Sequence, residues 1–481
     1  MMDETHRPVL TFLPPENRER ILDAALVVLD EIGMQVFSEQ ACSLLAAAGC
    51  PADAQQVFRI PARVVRSAVA RAPRSIPVFD RLGRPAMDLG GKRAYFGTGS
   101  DLVFSHDAAS GARRRCVIED VACAARAADA LGNLDFVMSF AHPTDITPGL
   151  AYLASFKAML ENTTKPLVTT AAGRDDLAVM CDMAAAVRGG DGALRERPWI
   201  LHYAEPISPL RHPAPSLDKL LLCAERGVPV VYSPAPIAGS SAPITVAGHL
   251  AQGLAESLCG LVIHQLAAPG APFLLGMGAA VMDMATGQCS YNAPEYYLAY
   301  TGMIEMAHHL GLPCWGYAGT SDSQLPDGQA ALESAVENLL STFAGANLNH
   351  DVGYLNFGLT GSLEMLVIND ELIGQTRRLA RGIPVDDASL ALDAIRAAGP
   401  GGSFLRQRHT IRNVRKVQWR PGLLSRAGYD NWKARGGLDL LGRASERLAA
   451  ILRDHRPAPL APEVAEAIER RYEEFVAACG S

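Results

Sequence analysis

Several familiar signatures are missing from this chain, and each absence narrows what it can be. No two of its ten cysteines form a CxxC pair; they stand apart at positions 42, 50, 116, 123, 181, 223, 259, 289, 314 and 479. That spacing argues against a zinc ribbon or a dithiol redox motif, and for free thiols that pack as small hydrophobes. No run of 18 apolar residues goes unbroken, so no membrane span is expected. The opening MMDETHRPVLTFLPPENRER lacks the apolar core of a secretion signal, which makes the cytoplasm the expected compartment. Basic residues are in deficit, with a net charge of −7 and a pI near 6, so nothing marks a nucleic-acid partner. Missing too are a GxGxxG after the first strand, a GxSxG nucleophile elbow, and any HxH or HxxxH pair.

What is present reads as a buried-core globular protein, 49% hydrophobic and 20% charged over 481 residues. Residues 15–75 show helical stripes at 20–32, 38–49 and 61–69, and residues 1–92 are expected to form an N-terminal helical extension. From Arg93 the pattern turns to alternating strands and helices. Strand-like runs fall at 94–99, 135–140, 166–171, 199–206, 229–234, 272–278, 313–319 and 347–356, with helical stretches between them and a last one at 362–380. Eight strand–helix units predict an α/β fold of the (β/α)8 TIM-barrel type over 93–385, with an open doubly wound sheet as runner-up. Residues 386–481 are expected to form a C-terminal helical extension that packs on the barrel. It includes an Arg-rich stretch at 409–421 suited to a solvated face or an acidic partner. Helical ends of this kind also suit packing against a second copy, so a homo-oligomer is a possibility to test.

The unit at 312–354 is the most informative. A short apolar run enters a polar loop holding Ser321, Asp322, Ser323 and Asp327, and a helical pattern follows with Leu332, Val336, Leu339, Leu340 and Phe343 on one face. In a barrel the chemistry sits where strands end at their C-terminal side. Reading only those positions yields tyrosines accompanied by acidic residues, without phosphate-binding glycine loops or lysines. Aromatic faces with a few carboxylates suit a quaternary ammonium group, which is attracted to π faces and donates no strong hydrogen bond. The same tyrosines suit mere packing of loops over a barrel mouth. His142, His202 and His350 come from three different strands and keep a metal site as an alternative, while His308 and His309 fall inside a helix.

The runs GTGSDLVFSHDAASGARR (97–114), NTTKP (162–166), APITVAGHLAQGLAE (242–256), QLAAPGAPF (265–273), GTSDSQLPDGQAALE (319–333) and GYLNFGLTGSLEMLVINDE (353–371) resemble the trimethylamine methyltransferase family in order along nearly the whole chain. The resemblance implies a barrel that transfers a methyl group from a methylated amine to cob(I)alamin, a corrinoid held by a separate corrinoid protein. Members acting on trimethylamine carry pyrrolysine; this sequence has none, and the corresponding region falls near 319–327. It therefore resembles the branch without pyrrolysine, which acts on glycine betaine and similar quaternary amines. A DxHxxG string, which resembles the cobalamin-ligating motif of corrinoid modules, is absent. On that basis Tyr95, Tyr203 and Tyr354 are expected to form an aromatic box. Glu205 and Asp322 are expected to balance charge at long range. His350 is expected to bind a substrate carboxylate or orient the pocket. Gly97, Gly99 and Gly319 are expected to permit close backbone approach to ligand or corrinoid. Glu256 and Gln265 suit helix–barrel polar contacts. The substrate choice among glycine betaine, proline betaine, carnitine-like compounds and sulfonium analogues stays open, with glycine betaine leading. A metal-dependent barrel hydrolase or lyase and a non-catalytic betaine-binding barrel are the competing readings.

Overall fold

The structure is a computed structural model that describes residues 8–107 and 110–479; the first seven residues, read above for a secretion signal, lie outside it. Its centre is a closed ring of parallel strands. Ile200–Ala204 pairs with Leu167–Thr169 on one side and with Val230–Tyr232 on the other. Val230–Tyr232 pairs with Phe273–Leu275, and a bridge from Leu275 to Cys314 leads to Trp315–Tyr317. That strand pairs with Leu348–His350, which in turn pairs with Tyr95–Phe96, the first strand. Parallel bridges Gly97–Phe136 and Val137–Leu167 complete the circle through the second segment. Because the last strand pairs with the first, the sheet is a barrel and not an open doubly wound sheet.

These strands are apolar on both faces because both are covered. Val168, Leu201, Val231, Leu274, Trp315 and Leu348 pack together inside the ring. Their neighbours Leu167, Ile200, Val230 and Phe273 pack outward under the helices. The N-terminal segment supplies more than helices. Ser75–Phe79 and Pro85–Gly90 form an antiparallel hairpin, turned at Gly83 with φ +87°. Its alternate residues Ile76, Val78, Met87 and Leu89 join the interior cluster and close the barrel's N-terminal end. The expectation of an entirely helical extension is corrected here. The period-two alternation in SIPVF is a strand signal that the surrounding helical stripes obscured.

One described helix, Val246–Ala267, is long and apolar enough to cross a membrane. It is instead buried on all sides, between the barrel and the N-terminal helices Pro15–Val27 and Ala62–Arg71. A helix apolar all round needs such cover. On the opposite side, Leu440–Asp454 and Pro462–Cys479 pack on the barrel's outer helices, and His455 Nε2 meets Asp129 Oδ2 at 2.7 Å.

The helix Gly328–Ala344 is capped by Asp327, which accepts from the Ala330 amide at 3.0 Å, and ends on left-handed Gly345. Its polar face, and not its apolar stripe, is the buried one. Ser334, Glu337, Asn338, Ser341 and Thr342 are buried, whereas Leu332, Val336 and Leu339 are exposed. The buried polar face is held by bonds to the loop above the seventh strand and to neighbouring helices.

Candidate functional site

The inward-facing parity that fills the barrel floor with aliphatic groups continues upward, and at the mouth the residue types change. Tyr203 is the inward residue after Leu201, Tyr317 follows Trp315, and His350 follows Leu348. His350 lies stacked on Trp315 with ring centroids 4.2 Å apart, and Tyr317 leans on it at 4.5 Å. Tyr203 packs on the other side of Trp315 at 5.5 Å and reaches His350 at 6.2 Å. Four aromatic rings from three strands thus share one wall. Tyr203 is only half-buried although it stands near the axis, so open space lies above it.

Acidic groups rim this wall. Tyr203 donates its hydroxyl to Glu205 Oε2 at 2.8 Å. Asp351 Oδ1 lies 2.5 Å from His350 Nδ1, and Asp351 holds a left-handed φ of +73°, a strained value for a non-glycine residue at a strand end. Asp101, also at positive φ, faces His142 Nδ1 at 3.8 Å and is hydrogen-bonded by Tyr152. Burial holds the phenols of Tyr203, Tyr317 and Tyr354 well above their usual range, so at neutral pH they remain neutral donors. Glu205 is solvent-accessible at the rim, yet the surrounding protein pushes its carboxyl upward against the opposing Tyr203 hydrogen bond. Asp101 raises the His142 imidazole through hydrogen bonding and charge. Pairing of His350 Nδ1 with Asp351 leaves the buried Nε2 without a protein partner.

Behind the wall, the loop above the seventh strand is anchored from the helix Gly328–Ala344. Glu337 Oε2 accepts from the Thr320 amide at 2.7 Å and its hydroxyl at 2.9 Å, and Glu337 Oε1 accepts from Tyr296 at 2.9 Å. Burial pushes the Glu337 carboxyl up to about 8. Glu333 accepts from Ser321 Oγ at 2.6 Å and the Asp322 amide at 2.9 Å. Asp322 in turn accepts from Ser290 Oγ at 2.5 Å and the Tyr291 amide at 3.1 Å. It ties the loop above the sixth strand, which carries Tyr291, to the loop above the seventh. Tyr291 lies within electrostatic reach of Asp351 and Glu205.

Of the residues expected from sequence, Tyr203, Glu205, His350 and Tyr354 converge at the mouth. Tyr354 donates to the Ser100 carbonyl and packs edge-on against Phe140 at 6.3 Å. Tyr95 does not converge with them. It opens its strand at the barrel floor, where its hydroxyl accepts from the Asp88 amide of the hairpin at 3.1 Å. Asp322 acts between loops and is a positioning residue, not a free balancing charge. Gly97 and Gly319 approach the protein's own elements. A Cβ at Gly97 would lie 2.5 Å from the Phe136 carbonyl, and one at Gly319, where φ is +65°, would lie 2.7 Å from Asn369 Oδ1. Gly99 does border the site, because an added Cβ would strike the Asp351 carboxylate and the Tyr354 hydroxyl. Glu256 accepts from Ser208 and Leu210, and Gln265 bonds Gly270 and Ala271, both as loop anchors.

Motif reading missed Trp315, Tyr152 and Tyr291 as wall or rim residues. One signal was available: from Gly227 to Thr376 the chain has no lysine or arginine. Four of the eight strand-end loops therefore lack any such cation. The histidines do not assemble a metal site. His202 alternates with inward Leu201 and Tyr203, so it faces outward, where Nδ1 meets Thr169 Oγ1 at 3.0 Å. Among the described residues no cluster of three or more potential ligands occurs.

Known proteins are similar to this chain over most of its length. The family model described as trimethylamine methyltransferase (MTTB) matches residues 2–478. The trimethylamine methyltransferase of Desulfitobacterium hafniense (strain DSM 10664 / DCB-2) is 31% identical over 452 residues, covering 94% of this chain and 91% of that protein. The glycine betaine methyltransferase of Desulfitobacterium hafniense (strain Y51) is 28% identical over 477 residues, 98% of each chain. Among solved structures, the monomethylamine methyltransferase of Methanosarcina barkeri aligns with a TM-score of 0.53 at 11% identity, over 98% of this chain and 90% of that one, and so shares its fold.

Proposed function

The chain belongs to the trimethylamine methyltransferase family, and from that premise we propose that it moves a methyl group from a quaternary amine, glycine betaine first among the candidates, to cob(I)alamin on a separate corrinoid protein. The observation that carries this reading is the mouth itself, where Tyr203, Trp315, Tyr317 and Tyr354 meet Asp101, Glu205 and Asp351. Aromatic faces attract a trimethylammonium group, and the carboxylates add a diffuse negative field in place of one tight ion pair.

The reaction supports that design. A quaternary nitrogen that loses a methyl group leaves as a neutral tertiary amine and needs no proton. Trimethylamine itself would leave as an amide anion, so it requires prior activation. Positive charge departs from nitrogen during transfer, and a site that held the cation too tightly would stabilise the ground state over the transition state. Glu205 and Asp351 are each already hydrogen-bonded by the protein, which moderates their pull. Catalysis then consists largely of holding one methyl in line.

A corrinoid on a partner supplies a strongly nucleophilic cobalt that accepts the methyl. The fit lies in the strand-end face of the barrel, where Tyr203 and Glu205 remain accessible from outside. The chain's own residues bind the cation on the aromatic wall and exclude water by the aromatic packing. His350 Nε2 is offered to the polar end of the substrate. The test is single-turnover reaction of the protein with cob(I)alamin, free or on a corrinoid protein, watched by the visible spectrum. A panel of betaines, carnitine, sulfonium compounds and trimethylamine is offered in turn. Loss of the cob(I)alamin absorption with a quaternary substrate, and not with trimethylamine, is the expected result. Binding by calorimetry with no spectral change across the panel would make the protein a non-catalytic binder.

A further inference from the structure

Two surfaces of this chain lack cover. The first is the helix Gly328–Ala344, whose Leu332 is 66% exposed and lines up with Val336 and Leu339 at helical spacing. The second is the segment 381–421, which follows the last barrel helix, Leu363–Ala380. It is ordered into short helices, yet none of its residues is buried. It nevertheless presents large apolar side chains to solvent, with Ile383 88% and Leu405 84% exposed, and Ile411 and Val417 on the helix Arg408–Val417. A chain segment with no fully buried residue gains little hydrophobic free energy to offset its ordering entropy, and exposed apolar patches mark interaction sites.

Charge identifies the occupant. Segment 381–421 carries eight Lys and Arg against three Asp, in a chain that holds 44 basic and 51 acidic residues overall. The helix Gly328–Ala344 carries the half-buried Glu333 and no basic residue, and lies within the long stretch from Gly227 to Thr376 that has no lysine or arginine. Asp327 at its start and Glu295 in the first turn of the adjacent helix Pro294–Leu310 are exposed. One apolar surface thus belongs to a region with exposed acids and no lysine or arginine, and the other to a basic segment.

We propose that these two surfaces are the halves of an interface between copies of this chain, with the basic arm 381–421 of one copy lying on the Leu332–Val336–Leu339 stripe of another. The same helix holds the loop above the seventh strand through Glu333 and Glu337. The interface therefore braces the active-site mouth from behind.

Sedimentation velocity on the full chain at ~10 µM tests this with two variants. Leu332→Glu/Val336→Glu spoils the stripe, and Leu405→Glu/Ile411→Glu spoils the arm; all four side chains are exposed, so folding, checked by circular dichroism, should be retained. The expected result is an oligomeric wild type, two monomeric variants, and recovery of a dimer when the variants are mixed, since the mixture restores one intact stripe–arm pair. Arg412→Glu/Arg415→Glu is a second arm variant, expected to weaken association. A monomeric wild type overturns the proposal, and so does an arm that binds only a corrinoid protein. An oligomer unaffected by either variant, or a mixture that stays monomeric, overturns the stripe–arm pairing.

Discussion

The two ends of this barrel use the same strands and parity but opposite chemistry. At the floor, Ile76, Val78, Met87 and Leu89 of the hairpin plug meet Val168, Leu201, Val231 and Leu274, and the one tyrosine there, Tyr95, has its hydroxyl bonded by Asp88. At the mouth, Tyr203, Trp315, Tyr317 and His350 stack beside Glu205 and Asp351, and His350 Nε2 is left without a protein partner. Height along a strand separates a tyrosine that seals the fold from one that can meet a ligand.

The hardest break to that contrast is Gly99→Ala. Its new methyl would displace Asp351 and Tyr354 together, and methyl transfer should fall by ~100-fold, since about 3 kcal/mol of lost transition-state stabilisation has that effect. Circular dichroism and the single-turnover rate distinguish a damaged site from a damaged fold. Next comes Tyr203→Leu, which removes one aromatic face and should raise the dissociation constant for a quaternary substrate by ~10-fold, in line with about 1–2 kcal/mol for a partly desolvated cation–π contact. Tyr203→Phe keeps the face and should cost much less. That difference, read by calorimetry, separates ring from hydroxyl.

A pH experiment sharpens the contrast through the loop support. Burial places the Glu337 carboxyl near 8, against an ordinary value of 4.5, so between these pH values the folded state binds more protons than the unfolded state. Stability on this account falls as pH rises through that window. Glu337→Gln should flatten the dependence of melting temperature between about pH 5 and 8; an unchanged slope would remove Glu337 as its source. The smallest effect belongs to the floor. Tyr95→Phe should lower stability by about 1 kcal/mol or less, the usual worth of one hydrogen bond, and leave substrate affinity unchanged.

Much of this architecture was legible in the sequence because periodicity records which residues form a repeating unit. Seven of the eight expected segments contain a ring strand, and the second, at 135–140, joins the ring only through bridges at Phe136 and Val137. Periodicity does not say what covers a face. The apolar stripe through Leu332 and Val336 signalled a helix correctly, while its burial went to Glu337, Asn338 and Ser341, whose partners Thr320, Asn369 and Tyr317 are brought near only by the fold. Nor does it give height within the barrel: Tyr95 begins its strand and Tyr203 lies toward the end of its own, so tyrosines that look alike in sequence reach opposite ends. Trp315 escaped notice because it opens its strand and does not end it, and its role follows from stacking on His350.

On this reading the mouth recognises positive charge through aromatic faces and not merely the bulk of three methyl groups. The direct test is calorimetric binding of glycine betaine against 3,3-dimethylbutanoate, which replaces the charged nitrogen by carbon and keeps shape and carboxylate. The account predicts that the betaine binds at least ~10-fold more tightly and that Tyr203→Leu narrows the gap. Equal affinity for the two compounds would contradict it.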